Sequence, residues 1–363
     1  MYIAKHVILR IQAKTLLGKH LKGEMAQIIQ ICRLRGMAIV KILTLAFLFL
    51  GCCVNAVLAN SGSYIAGQFA EKERDFRNAS YYYIDLISRG ETDREIIKRS
   101  IIYSALSGNF EVATAISRKI SDLELSYPVA NLIIFAEAIK NRENRKILES
   151  FERHKKNFPN IFQKVSEFWI LIINDEKDKA FKLINSLRID NEAQLQIVNY
   201  NQLLAYVYFN EYEQAKTLYE NMDFSDFLFD SESALGLLEY FKKDRKSKVF
   251  ESILNKVRSA SDNSYYVIAL TDALSNGEKI NSIEISPYKQ IAEVFFRWSQ
   301  SVQTQDKNSV NKPFYLTLAN YANPTSSFLK FKTATVLSDT ENYSLSKGIL
   351  DKFSKDDLFF TDS

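Results

Sequence analysis

From about residue 63 onward the apolar positions of this chain fall at helical spacing. Three stretches share one set of offsets: Phe76, Ala79, Tyr83 and Leu86; then Phe110, Ala113 and Ile120; then Tyr212, Ala215, Tyr219 and Met222. Offsets of 0, 3, 7 and 10 lie on one face of a helix with about 3.6 residues per turn, and Ser117 is the polar exception. The pattern predicts helices over about Tyr64–Glu73, Phe76–Ser88, Arg94–Ser107 and Phe110–Ile120. Arg89-Gly90 and Gly108-Asn109 stand where helices should stop, and Pro128 and Pro159 mark further turns. With only 11 Gly and 5 Pro the chain has few breakers, which favours an all-α architecture over strands.

Each of the three faces opens on an aromatic residue followed three positions later by Ala. Ala79 and Ala113 are 34 residues apart, and Ala113 and Ala215 are 102 apart, three times that interval. A period of this length belongs to helix-turn-helix repeats. The small Ala suits a point where two helices cross, and the aromatic fills the space between one pair and the next. Phe76, Ala79, Tyr83, Phe110, Ala113, Tyr212, Ala215 and Tyr219 are therefore the expected packing residues of the repeat. Between these copies the register loosens. Ile147 and Phe181 stand where Ala is extrapolated, with Ala180 one residue early, and Val249, Phe250, Ile253, Leu254 and Val257 make a further amphipathic stretch. The span 258–290 has the weakest pattern, with polar clusters at Ser259–Ser264 and at Asn276-Gly277, and reads as a loop or a break. Tyr343, Ser346, Leu350 and Phe353 restore the offsets near the end.

These phrases resemble the tetratricopeptide-repeat (TPR) family, and more narrowly the secreted TPR proteins of alphaproteobacteria. The resemblance rests on Tyr64-Ile65-Ala66-Gly67-Gln68 followed by Asp75-Phe76-x-x-Ala79-x-Tyr81-Tyr82. It extends through Ile101–Leu106 before Gly108-Asn109-Phe110 to Asn342-Tyr343-Ser344-Leu345-Ser346. It implies a right-handed superhelical solenoid of antiparallel helix pairs, degenerate in its middle and C-terminal parts, with the first helix of each pair lining a groove. In that register the candidate groove contacts are Tyr64, Gln68, Glu71, Glu95, Lys98, Tyr200 and Tyr208. A lattice of Lys and Asn that grips a terminal carboxylate in some members has only Lys98 here, because Ile102 and Leu204 occupy would-be Asn positions.

Charge changes the picture at the N-terminus. Residues 1–41 carry eight basic side chains against Glu24 alone, a net of +7, so a chain of net +4 leaves −3 for the remainder. The basic footprint of a nucleic-acid binder is missing from the part expected to fold. Residues 42–54 form an apolar run of 13, short of the roughly 20 residues needed to span a bilayer. Followed by Val57-Leu58-Ala59, the run reads as a signal peptide cut near Ala59. The expected organisation is a basic extension or misassigned start at 1–36, a signal peptide or membrane anchor at 37–59, TPR-like repeats at 60–257 and degenerate helical repeats at 258–363. The expected location is the periplasm, or the membrane if the segment is uncleaved or if Cys52 is lipidated.

Export would also strip the chain of most reactive side chains. Cys32, Cys52, Cys53, His6 and His20 all precede residue 60, leaving His154 as the single His and no Cys. Disulfides, thiol nucleophiles and paired-His metal sites are excluded from such a mature chain. No nucleophile-elbow, zinc-protease or phosphate-loop motif occurs in it. Asp223–Asp230 mixes acids and aromatics but lacks the central Gly of a calcium loop, and Lys242–Lys248 reads as a solvated basic helix end. Glu232-Ser233 is the one dipeptide suggestive of a wall-degrading enzyme. The sequence therefore predicts a non-catalytic scaffold or adaptor without cofactor or metal. Its expected partner is a protein or peptide of the cell envelope, with no nucleic acid and membrane contact only through the N-terminal segment. A membrane-tethered assembly factor and a non-catalytic subunit of a cell-wall enzyme are the alternatives.

Overall fold

The computed structural model describes residues 61–122, 127–222, 231–244, 247–259, 265–278, 284–301 and 310–354, and every regular element among them is helical. The expected leader at 37–59, the basic segment before it and the acidic-aromatic run 223–230 lie outside the described residues. The chain divides between Ser63 and Tyr64, and the helices described below belong to the second part. Among the described residues no helix is long and apolar enough to cross a membrane.

A helix through residues 64–72 (α1) is followed by α2 (Phe76–Ser88), α3 (Arg94–Leu106), α4 (Phe110–Asp122), α5 (Pro128–Lys140) and α6 (Asn144–His154). Then come α7 (Asn160–Ile173), α8 (Lys177–Asn185), α9 (Glu192–Tyr208), α10 (Tyr212–Glu220), α11 (Ser231–Phe241) and α12 (Lys248–Ser259). The last five are α13 (Tyr265–Asn276), α14 (Pro287–Ser301), α15 (Asn311–Ala322), α16 (Ser327–Asp339) and α17 (Tyr343–Leu350). Two prolines start helices: Pro128 is the first residue of α5 and Pro159 caps α7, positions where a missing N–H costs nothing. The weakly patterned span 258–290, expected as a loop or a break, holds α13 and the start of α14, while residues 260–264 and 279–283 lie outside the described residues.

One turn recurs along the chain and sets its period. Arg74, Gly108, Arg142, Asp175 and Asn210 all have positive φ, in steps of 34, 34, 33 and 35 residues, and Gly277 and Glu341 repeat the conformation further on. After each, the next N–H reaches back five residues: Asp75 to the Ala70 carbonyl (2.8 Å), Asn109 to Ser104 (2.8 Å), Glu143 to Ala138 (3.0 Å), Glu176 to Leu171 (2.9 Å) and Glu211 to Tyr206 (2.8 Å). This is the Schellman closure, which satisfies the last carbonyls of one helix. The same residue then opens the next helix, its carbonyl accepting from Ala79, Ala113, Ile147, Ala180 and Ala215 in turn. All five of those side chains are fully buried, at 0 % exposure. The early Ala180 follows from the single 33-residue step, and Ile147 fills the same place with a larger side chain.

Neighbouring helices pack in sequence order, α2 on α3, α4 on α5, α5 on α6, α7 on α8 and α16 on α17. Contacts between α2 and α3 run in opposite senses: Phe76 meets Tyr103 with ring centroids 6.0 Å apart, while Tyr83 lies beside Arg99. At Gly67, α1 approaches α2 so closely that a Cβ would lie 3.2 Å from the Tyr83 ring. The C-terminal helices make the long-range contacts. α14 lies on α7 and α5, and α15 lies on α5 and α3. Trp298 of α14 stacks on Tyr315 (4.1 Å) and meets Phe158 (5.2 Å), and Phe295 meets Phe135 (5.9 Å). This explains why α5 is apolar on nearly every side, being covered by its sequence neighbours and again by α14 and α15, whereas α7 keeps a polar edge at Asn160, Gln163, Lys164 and Glu167.

The two ends of the described chain also meet. The Phe76 N–H donates to Asn342 Oδ1 (3.4 Å), joining the start of α2 to the turn before α17. Glu232 Oε1 accepts from the Phe328 N–H (3.1 Å) at the start of α16. Ser233, its neighbour, is buried beside Gln290. The Glu232-Ser233 dipeptide thus ties α11 to the C-terminal helices.

Candidate functional site

The sequence-predicted groove residues fall in two places. On α1, Tyr64, Gln68 and Glu71 share one face, and Gln68 Nε2 donates to the Tyr64 hydroxyl (2.9 Å). Glu71 accepts from the Tyr83 hydroxyl (2.7 Å) and from Arg99 Nη1, while Arg99 Nε donates to Glu95 (3.3 Å) and Lys98 lies 3.4 Å from the same carboxylate. Arg99, which the sequence reading did not single out, is the link that brings Glu71 and Glu95 together. It stands one turn after Glu95, the spacing at which a helical ion pair forms. Burial pushes the Tyr83 phenol well above its usual range, with Arg99 opposing the shift and Glu71 adding to it. The cluster is internally satisfied, which suits a device that holds α1, α2 and α3 together.

Tyr200 and Tyr208 lie elsewhere, on α9. Tyr200 is buried (1 % exposed), with the Arg297 guanidinium 5.5 Å from its ring centroid, so no partner reaches it. Tyr208 is exposed and its ring meets Phe209 edge-on. Of the packing residues, Phe76, Tyr83, Phe110 and Tyr219 are buried with their alanines, and Tyr212 is half-buried against Tyr240 and Phe241 of α11.

Phe110 has a different neighbour from Phe76 and Tyr212. Its ring stacks face to face on Tyr321 of α15, with centroids 3.8 Å apart and planes 4° from parallel. This stack borders an open cleft of about 720 Å³ between the α3–α4 turn, the end of α5, α15 and α17. The turn contributes Ser107, Gly108 and Asn109, and Leu106, Leu337, Leu345 and Ile349 make its apolar lining. Arg77, Lys140 and Lys352 are exposed on its walls. Lys140 Nζ stands 4.3 Å over the Tyr321 ring, a cation–π contact that leaves its hydrogen-bond donors free of carboxylates. Two acids also line the cleft, and one of them, Glu137, is paired with Arg118 (2.7 Å). The other, Glu111, is exposed. Asn320 Oδ1 is buried here without a hydrogen-bond partner. Burial pushes the Tyr321 phenol upward.

Chemically the cleft presents cations beside an aromatic wall. Among the described residues no group of three or more His, Cys, Asp or Glu is placed to hold a metal ion. The residues that form the cleft come from positions 77 to 352, and no local motif joins them. Compared with known proteins, the chain matches no family model and no curated protein.

Proposed function

We propose that this protein is a non-catalytic protein–protein interaction scaffold or adaptor of the bacterial cell envelope. Its architecture is read as a TPR-like superhelix whose inner faces are filled by its own C-terminal helices. The observation that carries the reading is the open cleft of about 720 Å³, a size typical of sites that seat part of a ligand or peptide. The recurrent turn near every 34th residue supports the repeat relationship. Export rests on the apolar run 42–54 and the small residues around Ala59.

The test is in situ photo-crosslinking from Ser344, at the cleft, with Glu192 as a distant control. A specific protein adduct from Ser344 alone is the expected result. Recovery of peptidoglycan fragments in its place would support a cell-wall enzyme subunit and overturn the adaptor reading. Mass spectrometry of the native N-terminus checks the location, with Asn60 expected as the first residue. An intact leader or an acylated Cys52 would replace the soluble periplasmic reading with a membrane-tethered one.

A further inference from the structure

We propose that the cleft between the α3–α4 turn and helices α15 and α17 binds an extended acidic peptide through its side-chain carboxylates. The inference deepens the scaffold reading and rests on it. Three observations point to this ligand.

The first is charge. Arg77, Lys140 and Lys352 converge on one opening, and none of them makes an ion pair among the described residues. Other basic side chains of the described surface are commonly paired, as in Arg89–Asp85, Lys146–Glu143 and Arg258–Asp272. With Glu137 neutralised by Arg118, only Glu111 opposes the three cations. A local excess of positive charge thus sits on a region whose sequence is net acidic beyond residue 41, and it complements carboxylates.

The second is the unpartnered Asn320 Oδ1, a buried acceptor inside the cleft. This oxygen is closed to solvent as it stands, so the Asn320 side chain must turn to present it to the N–H of an extended peptide, and the lack of a donor in the unturned position favours that turn. The third is the lining. Leu106, Leu345 and the stacked Phe110–Tyr321 rings offer a seat for an apolar side chain next to the cations. A free phosphate or other small anion would leave this surface unused. A nucleic acid would meet Glu111 and Glu137 within the cleft instead of a continuous basic stripe. The exposed large apolar side chains that would enter a lipid surface, Ile65, Phe69, Tyr81, Leu148, Tyr208 and Tyr343, line none of the cleft.

The probe is an N-acetylated, C-amidated octapeptide alternating glutamate with leucine and phenylalanine, so that only side chains carry charge. Fluorescence anisotropy with the full chain should show saturable one-to-one binding that weakens as salt is raised. The double variant Arg77→Glu, Lys140→Glu should bind at least about tenfold more weakly, as should a probe with lysine in place of glutamate. Gly348→Trp is the second variant. A Cβ at Gly348 meets nothing within 4 Å, so the indole can enter the cleft while the cations stay in place, and it too should weaken binding by at least about tenfold. Equal binding of the lysine probe, or binding indifferent to both variants, overturns the inference. Tighter binding to duplex DNA or to phosphatidylglycerol vesicles than to the acidic probe also overturns it. If the probe fails while crosslinking from Ser344 still captures an envelope protein, the acidic-peptide assignment falls and the scaffold reading survives.

Discussion

Five of the left-handed turn residues, Arg74, Arg142, Asp175, Asn210 and Glu341, carry side chains in a conformation that favours glycine. The turn is maintained because the Schellman hydrogen bonds and the buried residue five positions after it outweigh that local cost. Asp175→Gly should therefore stabilise the fold by about 0.5–1 kcal/mol, read as a higher urea midpoint at unchanged slope. Gly108→Ala should do the reverse by about 1 kcal/mol. A Cβ at Gly108 meets no atom within 4 Å, so that loss would come from the backbone at φ +80° alone. Equal stability of the Ala variant would show that the turn tolerates an L-residue without strain. The buried phenols give a second residue-scale expectation. Burial raises the Tyr83, Tyr103, Tyr219, Tyr315 and Tyr321 hydroxyls above their usual values. A raised folded pKa means full stability below the unfolded value of about 10, lost as pH rises towards the folded values. Each such phenol should make stability fall by about 1.4 kcal/mol per pH unit above about pH 10. Tyr315→Phe, where burial is the cause of the shift, should flatten the alkaline limb by about one proton's worth without changing the limb near neutrality. Urea titrations on both limbs check this, and an unchanged alkaline slope would refute it.

At the scale of elements, the local signals were legible and the distant ones were not. α2, α3 and α4 begin and end within a few residues of the sequence reading, because capping residues and 3.6-residue periodicity lie within each segment. The turns at Arg142 and Asp175 escaped the aromatic-x-x-Ala phrase, since Ile147 replaced one Ala and a shortened step displaced another. A backbone turn can persist while the side chains that usually report it change. The apolar composition of α5, with buried residues from Ala130 to Ile139 nearly all round, was an available sign that it is covered on both sides. What covers it could not be read, because the partners Phe158 and Phe295 are far apart in sequence and each is an ordinary apolar residue locally. The cleft was hidden for the same reason, being assembled from Arg77, Lys140 and Lys352. Trp298→Ala tests the role of α14. Removing an indole packed on Tyr315 and Phe158 should cost about 3–5 kcal/mol. Hydrogen exchange should show α5 and α7 losing protection with α14. Loss confined to α14 would mean that the helix rests on the other two without sharing their stability.

At the scale of the molecule, closure distinguishes this fold from an open array. In a linear stack each repeat touches only its neighbours, so a perturbation at one end decays along the chain. Here α15 reaches α3, α14 reaches α5 and α7, and Asn342 joins the turn before α17 to the first residue of α2. Asn342 is well placed to carry that coupling. Its side chain accepts from the Phe76 N–H (3.4 Å) while its Nδ2 donates to the Thr340 carbonyl (3.0 Å), so the amide is oriented by its own turn before it meets the other end. Asn342→Ala removes the longer arm of a shared donor, since the Phe76 N–H also donates to the Arg74 carbonyl (3.0 Å), and should cost about 0.5–1.5 kcal/mol, the worth of one ordinary hydrogen bond. The informative readout is where that cost appears. Amides of α2, 266 residues away along the chain, should lose hydrogen-exchange protection together with those of α16 and α17. Protection lost only in α16 and α17 would mean that the first and last turns lie side by side without energetic coupling. Shared loss would make the described helices one cooperative body, with the cleft held open between elements that unfold together.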